Sequence, residues 1–267
     1  MLKDITLGQY FPGETPVHRL DPRTKLLLTV VYIAALFTAK GVASYAVMFA
    51  ALAGSVWLAR IQPKALLKGL KPVVIIIVLT ALLNLFLTDG DPIFQWKFIR
   101  ITVQGVQTAI FMVIRIIMLI AGTLLLTYTT SPIALTDGLE ALLRPLKKLK
   151  VPVHELAMMM SIALRFIPAL IEETDKIMSA QKARGADFDT GNLVQKAKAM
   201  LPLLVPLFIS AFRRADELAT AMECRCYHGD EGRTRMKQLV MARRDAFALS
   251  AGFGVLAVVI VLAVFGL

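Results

Sequence analysis

Charge is scarce in this chain. Asp, Glu, Lys and Arg make up 18% of its 267 residues, 57% are hydrophobic, and the mean hydropathy is +0.67. So little charge cannot clothe a soluble globule of this length, which excludes an ordinary soluble enzyme and points to a membrane-embedded protein. Cysteine is nearly missing too: Cys224 and Cys226 stand one residue apart, too close for ordinary disulfide geometry, so a disulfide-stapled domain is excluded. Residues 1–25 contain no long apolar run, which excludes a cleavable signal peptide there and leaves the first membrane helix to act as the insertion signal. There is no GxxxxGK[ST] phosphate loop, hence no ATP binding by that route. No Ser-His-Asp or Cys-His constellation can be assembled from spacing, and the chain is not expected to be an enzyme by itself. His18, His154 and His228 are isolated from one another, so neither a metal site nor a bound cofactor is expected.

What is present is long and apolar. Runs with little or no charge extend over residues 26–39, 41–59, 72–88, 101–130 and 246–267, giving five candidate spans. The first is short for a crossing that takes about 20 residues and is expected to rely on Lys25 and Lys40 snorkelling from its ends. The fourth carries Arg115 at its centre, where an arginine faces a bundle interior or a neighbouring subunit. Residues 60–71 hold Arg60, Lys64, Lys68 and Lys71 without an acid, which places that connection on the cytoplasmic side. The amino terminus is then cytoplasmic and the carboxyl terminus outside. From Tyr128 through Asp245 there are 18 basic and 14 acidic residues, the mark of a cytoplasmic domain. Its AMMMSIALRFIPALI and LPLLVPLFISAF stretches are apolar enough for helices lying along the bilayer or against partners. Val151 to Leu170 is kept out of the bilayer because it contains His154, Glu155 and Arg165. The expected organisation is an all-α polytopic protein: a cytoplasmic segment 1–25, a four-helix membrane part 26–130, a cytoplasmic coupling domain 131–245, and a last membrane helix 246–267. The net charge, 30 − 19 = +11, falls on these connections, which argues against nucleic acid and for an anionic membrane surface.

Inside the charged region the chain repeats itself at an offset of 41 residues. Residues 172–185 align without gaps to 213–226, matching Asp175 with Asp216, Ile177 with Leu218, Ser179 with Thr220, Ala180 with Ala221 and Arg184 with Arg225. Both stretches read as amphipathic helices, the second with Phe208, Ala211, Phe212, Ala215, Leu218, Ala219 and Met222 at helical spacing. Pro168 and Pro206 lie near their starts or kink them, and Gly185 and Gly229 are natural stops. Each helix thus ends in an arginine between small residues: Ala183 and Gly185 flank Arg184, Cys224 and Cys226 flank Arg225. A cation in a last turn also suits the helix dipole, with no further role. That reading does not require small neighbours on both sides, whereas a guanidinium entering a pocket of another protein does.

Taken together, HRLDPRTKLLL (His18 to Leu28), the stretch from Leu143 to Leu170, AQKARGADF (Ala180 to Phe188) and RADELATAMECRCYHG (Arg214 to Gly229) resemble the transmembrane T component of energy-coupling factor transporters, ATP-driven importers of vitamins and of nickel or cobalt ions. The resemblance implies that Ala183, Arg184, Gly185 and Cys224, Arg225, Cys226 dock into two cytoplasmic ABC-type ATPases, which bind the ATP. It also implies a small membrane-embedded substrate-binding S component, cradled by Met158, Met159, Met160, Ile177, Met178, Phe212, Leu218 and Met222. Cys224-Arg225-Cys226 departs from the family's Ala-Arg-Gly pattern, since no glycine follows Arg225. The rival reading from composition is a self-sufficient secondary transporter that uses Arg115 for substrate.

Overall fold

The computed structural model describes residues 10–88, 91–96, 99–186, 188, 192–229 and 238–266. Residues 1–9 and Leu267, on which the two expected terminal orientations fall, lie outside the described residues. In chain order the elements are α1 (Pro22–Thr38), α2 (Val42–Ala59), α3 (Pro63–Leu70), a 3-10 turn (Lys71–Val73), α4 (Val74–Leu87), β1 (Pro92–Trp96), β2 (Ile99–Thr102), α5 (Val103–Thr129), α6 (Pro132–Leu143), a second 3-10 turn (Arg144–Leu149), α7 (Val153–Ala183), α8 (Leu193–Cys224) and α9 (Arg243–Val264). Helix dominates because hydrocarbon offers no hydrogen bonds, so each apolar run must satisfy its own backbone. The chain is an all-α, multi-pass membrane protein. A short antiparallel hairpin interrupts it between α4 and α5, pairing Pro92 with Thr102 and Trp96 with Ile99, where the sequence reading had only a connection.

Five helical segments are long and apolar enough to cross a membrane by length and composition: Val42–Ala59, Pro63–Leu87, Val103–Thr129, Val153–Ala183 and Arg243–Val264. Two differences from the sequence reading stand out. The helix of the first apolar run, α1, has 17 residues and falls short of that criterion. The region kept out of the bilayer for its charges belongs to α7, whose 31 residues meet it.

The contacts divide the chain into two units, Gly8–Leu139 with Leu239–Leu267, and Glu140–Gln238. In the first, α1, α2, α5 and α9 enclose a core of Leu36, Met48 and Val259, all fully buried, with Ala35, Tyr45, Leu52, Met118 and Ala121 around them. Close approach needs small residues. A Cβ on Gly252 would collide with the Leu28 side chain and one on Gly122 with the Tyr32 ring, whose hydroxyl donates to the Met118 carbonyl at 3.0 Å.

One end of this bundle is sealed by buried polar groups. Asp21 caps α1, accepting from Arg23 N at 2.9 Å, with Pro22 in the first turn. Asp245 joins two helix starts: Oδ1 accepts from Asp21 N and Oδ2 from Ala242 N, both at 2.8 Å. Lys25 does not snorkel. It is 6% exposed, and Nζ donates to the carbonyls of His18 at 3.0 Å and Thr129 at 2.8 Å. Those carbonyls and the two nearby carboxylates offer a buried ammonium what water would otherwise supply. His18 is held by the Thr15 hydroxyl on Nδ1 and donates from Nε2 to the Phe11 carbonyl. Burial first, and Lys25 beside it, lower its pKa, which favours this neutral ring.

Candidate functional site

The second unit holds the two long helices that carry the repeat. Pro168 lies well inside α7, and Pro202 and Pro206 well inside α8, so none marks a helix start. Each proline removes one N–H from its helix ladder, and both helices run on through the gap.

The two helix ends have the same architecture. In α7, Ala186 N donates to Gln181 O and Gly185 N to Lys182 O, both at 3.0 Å, with Gly185 at φ +89°. In α8, Tyr227 N donates to Met222 O at 3.1 Å and Cys226 N to Glu223 O at 2.9 Å, with Cys226 at φ +54°. These are two Schellman caps, each with an arginine as the last half-helical residue and the next residue left-handed. Gly229 is therefore not the stop of α8. The helix ends at Cys224, and Cys226 takes the position that Gly185 holds in α7. A left-handed turn in a residue with a Cβ is costly, and a side chain locks it: His228 Nδ1–H donates to the Cys226 carbonyl at 2.7 Å.

Ala183, Arg184, Gly185, Cys224, Arg225 and Cys226 are all exposed. Among the described residues neither guanidinium has a hydrogen-bond or ion-pair partner, so both forks are free to meet an acceptor outside the chain.

The repeat also meets itself. Arg214 Nη2 donates to Glu173 Oε2 at 3.0 Å, and these are equivalent positions, since 214 − 173 = 41. From this pair each helix continues eleven residues to its arginine (184 − 173 and 225 − 214), about 16 Å at 1.5 Å per residue. Two equal arms therefore leave one contact point. The repeat sets Glu173 opposite Arg214, and opposite charges at equivalent positions are the one signal in the sequence for a self-contacting repeat.

The apolar face is present and largely uncovered. Phe212, Met159 and Met160 are exposed, by 68%, 55% and 43%, whereas Met158, Ile177, Met178, Leu218 and Met222 are half-buried. Exposed Leu201, Leu204, Val205, Phe208 and Ile209 extend it toward the start of α8. Surface of this extent marks contact with lipid or protein.

Residues 13–236 match the model of a family described as CbiQ, cobalt transport protein. A protein of Thermosediminibacter oceani named energy-coupling factor transporter transmembrane protein EcfT is 57% identical over 257 residues, covering 96% of this chain and 97% of its own length. The same name is borne by a protein of Clostridium kluyveri, 55% identical over 250 residues and 93% of both chains. A protein of Bacillus subtilis so named is 52% identical over 246 residues, or 92% of this chain and 93% of its own. The chain belongs to this family of energy-coupling transmembrane subunits of energy-coupling factor transporters.

Proposed function

We propose that this subunit is non-catalytic and links two cytoplasmic ABC-type ATPases to a membrane-embedded S component, in an importer of vitamins or other micronutrients. The observation that carries this reading is the pair of caps with the same hydrogen-bond pattern and with exposed Arg184 and Arg225, which have no partner among the described residues, at equal reach from the Glu173–Arg214 contact. Each fork fits a pocket lined with carboxylate or carbonyl oxygens. ATP is bound and hydrolysed by the partners. Their closing and opening moves the two arms, and the uncovered apolar face of α7 and α8 passes the movement to the S component. Unbranched Met159 and Met160 suit a surface that repacks against a moving partner.

The charges between the spans support a cytoplasmic amino end and an external carboxyl end. Arg115, which a self-sufficient transporter would offer to substrate, gives donors to Tyr45 and to the Ala39 carbonyl.

The test is the double variant Arg184→Glu, Arg225→Glu, expressed with its partner subunits. ATPase co-purification and ATP-coupled uptake should be lost while membrane insertion and yield remain. Coupled uptake at the wild-type rate by that variant would refute the assignment.

A further inference from the structure

Arg115 lies midway along α5, yet it stands level with the end of α1. At one end of the pair Lys25 Nζ reaches the Thr129 carbonyl, and at the other Arg115 Nη2 reaches the Ala39 carbonyl at 3.0 Å. Both pairs are fourteen residues apart (39 − 25 and 129 − 115), about 21 Å along each helix. The guanidinium therefore belongs to the turn between α1 and α2 rather than to the middle of the bundle. α5 continues beyond it for a further twelve residues.

At that turn positive charge gathers, and no described acidic residue pairs with it. Arg115 Nε donates to the Tyr45 hydroxyl at 2.8 Å, so two of its five N–H groups are used. Lys40 follows Ala39 directly and is exposed. Asp21 and Asp245 sit at the opposite end of α1. The Asp91 backbone carbonyl accepts from Val103 N, twelve residues before Arg115 and about 18 Å away along α5, and its carboxylate accepts from Gln104 Nε2. Rings lie against the guanidinium, Phe37 at 6.0 Å and Tyr45 at 5.9 Å from its carbon, and Phe37 is 62% exposed. Aromatic rings and cations together are what the headgroup level of a bilayer selects.

We propose that Arg115 and Lys40 hold the phosphate of an anionic phospholipid at the α1–α2 turn. A half-buried guanidinium with three donors unspent and no counter-ion among the described residues is costly beside hydrocarbon, and a phosphodiester supplies two acceptor oxygens to the fork. Basic pockets between membrane helices take headgroups in this way. Two cations favour a lipid of net negative charge over a zwitterionic one, which brings an ammonium of its own. The proposal is independent of the coupling role of Arg184 and Arg225.

The test uses the full chain, purified in mild detergent and examined by native mass spectrometry with phosphatidylglycerol, with phosphatidylcholine of the same chains, and with inorganic phosphate. The wild type should retain phosphatidylglycerol over phosphatidylcholine, and Lys40→Gln should reduce that retention about fivefold, the worth of one cation near such a headgroup. Arg115→Lys, which keeps charge but loses the fork, should reduce it as well. Because Arg115 also ties α1 to α5, its variants are compared at equal helix content by circular dichroism. Lys40 is exposed and carries the test without that concern. Equal retention of the two lipids by the wild type, or undiminished retention by Lys40→Gln and Arg115→Lys, would overturn the site. Displacement of the lipid by inorganic phosphate would overturn the lipid as its occupant.

Discussion

The first unit has an interior, and the α7–α8 pair has almost none. Leu36, Met48 and Val259 are sealed between α1, α2, α5 and α9, and Asp21, Lys25 and Asp245 at the end of that bundle are buried and bonded. Among the described residues of α7 and α8, only Val153, Ala157 and Leu203 are buried. Both helices exceed thirty residues, yet they touch chiefly each other. A bundle with its own core is stable by itself, whereas two long helices with open apolar faces need something laid against them. The difference teaches where this chain keeps its shape and where it leaves apolar surface open.

The contrast breaks hardest at Asp245. It is 2% exposed and its two oxygens hold the starts of α1 and α9. Asp245→Ala removes a charged acceptor from two backbone donors and leaves them buried. It should cost about 2–4 kcal/mol, read as a lower midpoint of thermal unfolding in detergent. Asp245→Asn keeps one acceptor oxygen and should lose less. If Asp245→Ala melts with the wild type while ATP-coupled uptake falls, the bundle is not the independent scaffold described here.

A smaller effect is expected at the contact inside the helix pair. Glu173 and Arg214 are 27% and 36% exposed at the side chain, so solvent screens them and the pair is worth no more than about 1 kcal/mol. Its importance is positional, because it sets the point from which the two arms are equal. Glu173→Arg alone should lower coupled uptake with little change in stability, and Glu173→Arg with Arg214→Glu should restore part of it. Uptake unaffected by the single reversal would show that the arms need no fixed contact there.

The sequence showed the helices more clearly than their ends. Apolar runs and 3.6-residue spacing marked where helices lie, because hydrocarbon permits little else. The hairpin at Pro92–Thr102 escaped notice, since a few residues between two spans carry no period long enough to read. Lys25 was misjudged for a different reason. Its carbonyl partners, His18 and Thr129, come from a local turn and from a helix 104 residues away, and composition knows nothing of either. In the candidate site the two arginines were legible as a repeat, and the Gly185 stop followed from the freedom of glycine. The stop of α8 did not, because Gly229 drew attention away from a left-handed Cys226 fastened by His228, a lock that only coordinates display.

That mismatch between the two caps permits the finest comparison, and the smallest expected effect. Gly185 and Cys226 occupy equivalent turns, but only Cys226 carries a Cβ into the left-handed region, at a cost of about 1 kcal/mol. Cys226→Gly removes that strain and frees the unfolded chain somewhat more, so the net gain should be about 0.5 kcal/mol. The His228 bond is to the backbone carbonyl and survives the change. Hydrogen exchange in the last turn of α8 should slow, and ATPase association should be unchanged. Cys226→Val, branched at Cβ, should do the reverse and fray that turn. If Cys226→Gly instead weakens ATPase association while exchange slows as expected, the thiol itself touches the partner, and the two tips differ in chemistry as well as in backbone.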